Sequence, residues 1–270
     1  MRQSTPRIAF GRAGRIALLP LDGPITEHAH PHAHVIFKFD GPDAFFLVNG
    51  HVLPLRDDTV VFVDPWVLHA GISIEASETT RLLALYINVD EVGAGGAIGA
   101  LPGRVFEHSC QALLPDLRDM AVRIGEGMLA STLGESDVGA FFSQLKERFC
   151  MSAAKKPPHR MLDFRIRRVL LHLHEKPSEP LDGETCIRLA GLSRSRFFEL
   201  FRESMGVSPR VYANALRLEK AIEQLVDGTK DIKTLSEDLG FSAPPHLTRF
   251  FQRHLGSSPR EFRRGLISTQ

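Results

Sequence analysis

Apolar positions along the chain change period twice. Between about residues 25 and 90 they come in short runs closed by turn residues. Val35-Ile36-Phe37-Lys38-Phe39 ends at Asp40-Gly41-Pro42, and Ala44 to Val48 runs into Asn49-Gly50, from which Val52 to Leu55 returns. Asn-Gly between apolar runs is the strongest short hairpin signal, because both central residues must take positive φ. With Val60 to Val63 and Arg81 to Val89 these runs predict a β-rich module, a sandwich or barrel, followed by a glycine-rich loop from Gly93 to Gly103. Leu113, Leu117, Met120, Ile124 and Met128 then recur at helical spacing, as do Val138, Phe141, Phe142, Leu145 and Phe149. Two amphipathic helices follow, each with a stripe for the β module or for a second subunit. Ala153 to Pro158 reads as a linker.

Residues 160–270 read as helical throughout and contain a repeat. Phe201-Arg202-Glu203-Ser204-Met205-Gly206-Val207-Ser208-Pro209-Arg210 returns as Phe251-Gln252-Arg253-His254-Leu255-Gly256-Ser257-Ser258-Pro259-Arg260. The same offset pairs Cys186 with Ser236, Leu189 with Leu239, Phe197 with Leu247 and Leu200 with Phe250. Two similar units at constant offset mark a duplicated supersecondary structure. Each unit reads helix, turn, helix: Glu184 to Ala190, then Gly191-Leu192-Ser193, then Arg194 to Met205; and Ile232 to Leu239, then Gly240-Phe241-Ser242, then a helix from Pro244-Pro245. Small residues at Cys186 and Ser236 suit a close helix crossing, and Ser193 and the prolines suit helix starts. Pro209 to Leu225 reads as one continuous helix joining the units.

Charge sharpens this division. The formal net charge of +1 speaks against a nucleic-acid partner only if it is evenly spread. Residues 1–150 carry 12 Lys/Arg against 18 Asp/Glu, whereas residues 151–270 carry 21 against 14, so an acidic module adjoins a basic one. Cys110, Cys150 and Cys186 form no C-x-x-C pair, which speaks against a disulfide framework or zinc finger and fits a reducing cytoplasm. Arg12 and Arg15 interrupt the apolar stretch before Pro20, and no window is long and apolar enough to span a membrane, so no membrane partner is expected.

In a helix-turn-helix the second helix enters the major groove. Its first turns here offer Arg194, Ser195, Arg196 and Glu199 in one unit and His246, Thr248 and Arg249 in the other. Arginine can donate a bidentate pair to guanine, and glutamate can accept from cytosine N4. The connecting helix, about 26 Å long, could hold both units on one face of double-stranded DNA roughly a turn apart.

Residues 160–270 resemble the DNA-binding domain of the AraC/XylS family of bacterial transcriptional regulators. The residues that carry the resemblance are Leu192-Ser193, Phe197, Phe201, Gly206, Ser208-Pro209, Tyr212, Arg217-Leu218 and Ala221. In the second half they are Ile232, Gly240-Phe241, His246, Arg249, Phe251, Gly256, Ser258-Pro259 and Phe262-Arg263. The chain departs from the pattern at Cys186 and Ser236, where alanine is usual, at Phe262, where tyrosine is usual, and at Glu199, where a basic or amide residue often reads bases. Phe198 aligns with a base-contacting position of the family and could meet a thymine methyl or pack on protein.

The resemblance implies a multidomain chain: a cupin-like effector or sensor β-barrel at 1–110, a helical dimerisation segment at 111–152, a linker at 153–159, and an all-α double helix-turn-helix domain at 160–270. It also implies a cytoplasmic homodimer, with RNA polymerase among its partners, and not an enzyme. Set against the cupin pattern H-x-H-x3-4-E with a later histidine, His28 and His30 take the H-x-H, His34 falls at the glutamate, and Pro65-Trp66-Val67-Leu68-His69 supplies the last histidine. His28, His30, His34 and His69 are candidate ligands for a divalent metal, which imidazole would hold by its softness. Without a metal, His30, His34, Lys38, Trp66 and His69, with Phe37, Phe46 and Tyr86, would line a pocket for an unidentified small-molecule effector; Lys38 would favour an anion. Two other functions stay open: a metal-dependent cupin enzyme with an accessory helical domain, and a regulator whose N-terminal domain binds a protein.

Overall fold

The computed structural model of the protein describes residues 5–23, 25–73, 78–88, 101–149 and 162–268. The linker expected at 153–159 and most of the glycine-rich stretch lie outside them. Strands β1 (Arg7–Gly11), β2 (Gly14–Leu21), β3 (Ala33–Asp40), β6 (Thr59–Val63), β8 (Thr80–Ile87) and β9 (Cys110–Ala112) belong to one sheet. Strands β4 (Ala44–Val48), β5 (His51–Leu55) and β7 (His69–Ser73) form the other, in the order β5-β4-β7. The β4–β5 hairpin turns at Asn49, whose φ is +49°, and Gly50, as its sequence predicts. The expected barrel is a pair of facing sheets; no hydrogen-bonded ladder joins them among the described residues.

The larger sheet is covered on both faces, which is why β2, β3 and β8 are buried almost without alternation. Ile36, Val61, Val63 and Leu82 meet Phe46 and Leu55 of the smaller sheet. Along much of the sheet the other face carries Val35, Phe37, Val60, Phe62 and Leu85, which pack against helices α1 (Pro115–Ala130) and α2 (Glu135–Arg148). The stripes of both helices, Leu117, Ile124 and Met128 on α1 and Val138, Phe141 and Leu145 on α2, are buried on this sheet. Of the two occupants the sequence leaves open for these stripes, the structure selects the chain's own β module.

The C-terminal part contains α3 (Phe164–Glu175), α4 (Gly183–Ala190), α5 (Arg194–Met205), α6 (Pro209–Asp227), α7 (Ile232–Asp238), α8 (Pro244–Leu255) and α9 (Pro259–Arg264). Side-chain caps start most of them: Asp163, Asp182, Ser193, Ser208, Asp231 and Ser258 each accept a bond from a first-turn N–H. The turns of both helix-turn-helix units use glycine in the left-handed region, Gly191 at φ +63° and Gly240 at φ +69°. Helix α6 has 19 residues, about 28 Å at 1.5 Å per residue. Its N-terminal part packs into a core with Phe197, Phe201 and Met205, and its C-terminal part into one with Leu235, Leu247 and Phe251. Cys186 and Ser236 are buried at the crossings, as their size predicts. Burial pushes the Cys186 thiol up to about 11, so it is inert at neutral pH.

The two halves are joined by more than the linker. Strand β10 (Leu266–Ile267), absent from the all-helical expectation, adds in parallel to β1 and makes the order β10-β1-β2-β8-β3-β6-β9. Ile8, Ala17, Leu19, Ala84 and Tyr86 of the sheet share a core with α6, α8 and Phe262.

Candidate functional site

Two sets of polar side chains stand out. The first lies on α5 and α8. Arg194, Ser195, Arg196 and Glu199 are exposed on α5, and His246 and Arg249 on α8; Thr248 is half-buried, its hydroxyl donating to Pro244 O at 3.1 Å. The faces that carry them exist because Phe197, Phe201, Leu247 and Phe251 anchor the opposite sides. Arg194 pairs with Glu184 at 2.8 Å and Arg196 with Glu199 at 2.7 Å, all four exposed. Such exposed pairs contribute at most about 1 kcal/mol, less than the about 1–3 kcal/mol by which a bidentate arginine–guanine contact discriminates, so they leave both arginines able to change partner. Phe198 is half-buried at 5.2 Å from the Phe197 ring, with the Arg194 guanidinium 5.6 Å from its own ring.

The second set is the histidine cluster. A two-way backbone bridge joins His28 and His69 (His28 N to His69 O 3.0 Å, His69 N to His28 O 2.9 Å), and their rings are 4.3 Å apart. His30 lies 4.8 Å from His69 and 5.1 Å from His34. His34, the second residue of β3, stacks at 4.3 Å on Tyr86, its partner on β8. All four histidines are buried. Burial first, and neighbouring imidazoles second, hold His28, His30 and His34 well below the usual histidine range; burial brings His69 to about 4. Nε2 of His30 and His69 and both ring nitrogens of His34 are buried without a hydrogen-bond partner. A buried unpaired polar atom costs about 1–3 kcal/mol, so this arrangement calls for an explanation.

The structure thus brings together five of the sequence-predicted residues, His28, His30, His34, His69 and Tyr86, with Trp66 beside them through its backbone, and sets Lys38, Phe37 and Phe46 apart. Lys38 lies four residues from His34 along β3, about 13 Å at 3.3 Å per residue, and its ammonium pairs with Asp43 at 2.7 Å and Asp57 at 3.2 Å. It is already neutralised. Phe37 packs toward Phe141 of α2 and Phe46 between the sheets, so neither shares a pocket with the histidines. Trp66 stacks on Tyr212 of α6, ring centres 4.3 Å apart, and is a contact between the halves. Its φ of +65° is a strained value for a bulky residue, held by that stacking and by a bond from Trp66 N to His30 O at 2.9 Å.

Sequence reasoning missed the rest of this seam. Arg15 of β2 makes two bonds to Glu219 of α6, at 3.1 and 3.3 Å, and lies 4.0 Å over the Tyr86 ring. His32 Nε2 stands 3.1 Å from Glu219 Oε2. Burial alone would raise the Glu219 carboxyl, but Arg15 and His32 outweigh it and hold it at about 2. His254 of α8 lies 6.4 Å from the His28 ring. No local pattern could announce contacts between residues about 200 positions apart.

A paired helix-turn-helix domain presenting two exposed, arginine-bearing helices defines a DNA-binding protein. Residues 187–265 match the family model described as a helix-turn-helix domain. The HTH-type transcriptional regulator YobQ of Bacillus subtilis is 25% identical over 244 residues, covering 89% of this chain and 90% of the relative. The arabinose operon regulatory protein of Escherichia coli is 28% identical over 116 residues, 43% of this chain and 40% of the relative. Among solved structures, ToxT from Vibrio cholerae bound to an unsaturated fatty acid has the same two-part fold, with a TM-score of 0.55 at 13% identity over 92% of this chain and 94% of that one. The chain is a DNA-binding transcriptional regulator whose C-terminal helix-turn-helix domain is of the AraC type. None of the comparisons supports the enzyme reading, and Glu27, the carboxylate nearest the histidines in sequence, is exposed.

Proposed function

We propose that this regulator reads two successive major-groove segments with α5 and α8, and that its N-terminal sheets receive the regulatory signal and pass it across the seam. The observation that carries the proposal is the joining of the two parts. One helix, α6, carries Tyr212 against Trp66, Glu219 against Arg15, and the cores of both helix-turn-helix units. A change in the sheets that moves these contacts moves the axis on which both reading helices are mounted. Support for a ligand comes from the fatty acid named with ToxT, a protein of the same fold.

A place for an organic effector is a cavity of about 310 Å³ between the β1–β2 turn and α2. Ile87, Val138 and Phe142 give it an apolar wall, and Arg12, Glu135 and Lys146 a charged one. Homodimerisation, a cytoplasmic location and contact with RNA polymerase belong to the same proposal. Because the buried stripes of α1 and α2 are spent on the sheet, a dimer contact through residues 111–152 falls to their outer faces, where Leu114 and Leu129 are exposed.

Binding of the full-length chain to DNA upstream of its own gene, measured by fluorescence anisotropy across a salt series, tests this reading. Six to ten phosphate contacts would reduce affinity about 10³–10⁵-fold between 50 and 200 mM salt. Affinity that is absent, or flat with salt, contradicts it.

A further inference from the structure

The unpaired histidine nitrogens are organised rather than accidental. In His28, His30 and His69 the Nδ1 atom lies 2.9, 3.1 and 2.9 Å from the main-chain oxygens of Thr26, His32 and Val67. A carbonyl oxygen only accepts, so each Nδ1 carries the proton and each Nε2 keeps a lone pair. One ring nitrogen from each of the three lies within 4.8 Å of the others. Three imidazoles packed this closely, each with Nδ1 committed to a backbone carbonyl, leave three Nε2 lone pairs that only something electropositive among them would satisfy. Donation of the second ring N–H to a backbone carbonyl is how proteins orient a metal-bound histidine.

We propose that His28, His30 and His69 bind one divalent transition-metal ion through Nε2, with the fourth coordination position flanked by His34, and that this ion is the regulator's signal. The proposal rests on the N-terminal sheets being the receiving module, and it names the effector's class. The donor set is imidazole alone, which suits Zn²⁺, Co²⁺, Ni²⁺ or Cu²⁺ rather than Mg²⁺ or Ca²⁺. Ligands at 2.0–2.1 Å in a tetrahedral site are about 3.4 Å apart, so the rings need close by no more than about 1.4 Å from the 4.8 Å limit. Drawing them together acts on the seam directly. His30 O holds Trp66 N, whose indole stacks on Tyr212 of α6, and His28 faces His254 of α8. The metal site therefore touches both helix-turn-helix units through one or two residues.

Full-length protein stripped with chelator and titrated with Co²⁺ tests the proposal. The expected result is one ion per chain, with the visible absorption of a nitrogen-ligated, four- or five-coordinate site, displaced by Zn²⁺, and an altered affinity for DNA on loading. His69→Ala and His30→Ala should lose the band and weaken binding at least about 100-fold, whereas His51→Ala, an exposed histidine on β5, should leave both unchanged. If the histidine variants fail to fold, X-ray absorption of the Zn²⁺-loaded wild type decides instead, with at least three imidazole nitrogens at 2.0–2.1 Å expected. No stoichiometric uptake by the wild type, a shell of oxygen or sulfur, or equal loss in His51→Ala overturns the site. Metal-free protein that binds DNA but takes up no metal sinks the metal while leaving the DNA-reading function intact. Metal uptake without any DNA binding does the reverse.

Discussion

A chain carrying Arg196→Ala and Arg249→Ala is expected to bind its operator about 30-fold to about 10⁴-fold more weakly while melting like the parent. Each arginine stands on the exposed face of a different reading helix, and a base-contacting arginine discriminates by about 1–3 kcal/mol. The two sites share no partner, so the losses should add to about 2–6 kcal/mol. Removing Arg196 also leaves Glu199, at 2.7 Å from it, and Glu203, at 3.7 Å, without their cation in a place that DNA phosphates must approach. The loss should be concentrated on the operator. A uniform loss on all sequences, with a salt dependence lower by about two charges, would make both residues phosphate contacts instead.

Glu219→Ala is expected to cost about 3–5 kcal/mol of stability, read by urea denaturation at pH 7. The Arg15 guanidinium, only 5% exposed, would lose its bidentate partner and remain buried and charged. Glu219 is itself partly open to solvent, its side chain 24% exposed, which places the expectation toward the lower end. The pH dependence follows from the depressed carboxyl. A carboxylate held at about 2 when folded, against 4.5 when unfolded, adds stability that is complete above about pH 4.5 and is lost as the pH falls toward 2. The gap between wild type and Glu219→Gln should therefore close as the pH drops through that window. A gap that stays constant would show that the carboxylate charge does not hold the seam.

The helix-turn-helix half was legible because its signals are local. Asp and Ser caps, positive-φ glycines and apolar anchors repeat at a constant offset, and the repeat survives Ser236 and Phe262 standing where other residues are usual. The β half was legible where turns punctuate it, at Asn49-Gly50 and Gly41-Pro42. It was not legible in β2, where Arg15 interrupts the apolar run: the guanidinium is buried because it meets Glu219, 204 positions away. The packing of Trp66 and the pairing of Lys38 were not legible for a similar reason. A tryptophan beside a histidine motif reads as pocket wall until Tyr212 is found stacked on it, and a lysine reads as an anion hook until Asp43 and Asp57 are seen to neutralise it. The sequence spacing brought the histidines near one another, but only the structure shows their Nδ1 atoms committed to backbone carbonyls.

The central claim, that α5 and α8 read DNA as a pair mounted on α6, is tested most directly by selecting binding sites from random double-stranded DNA with the full-length protein. The enriched sequences are expected to carry two specified blocks, centred about 10–10.5 base pairs apart on one face of the duplex. Arg196→Ala should erase information in one block and Arg249→Ala in the other. Enrichment of a single block, or the same loss from both variants, would contradict it.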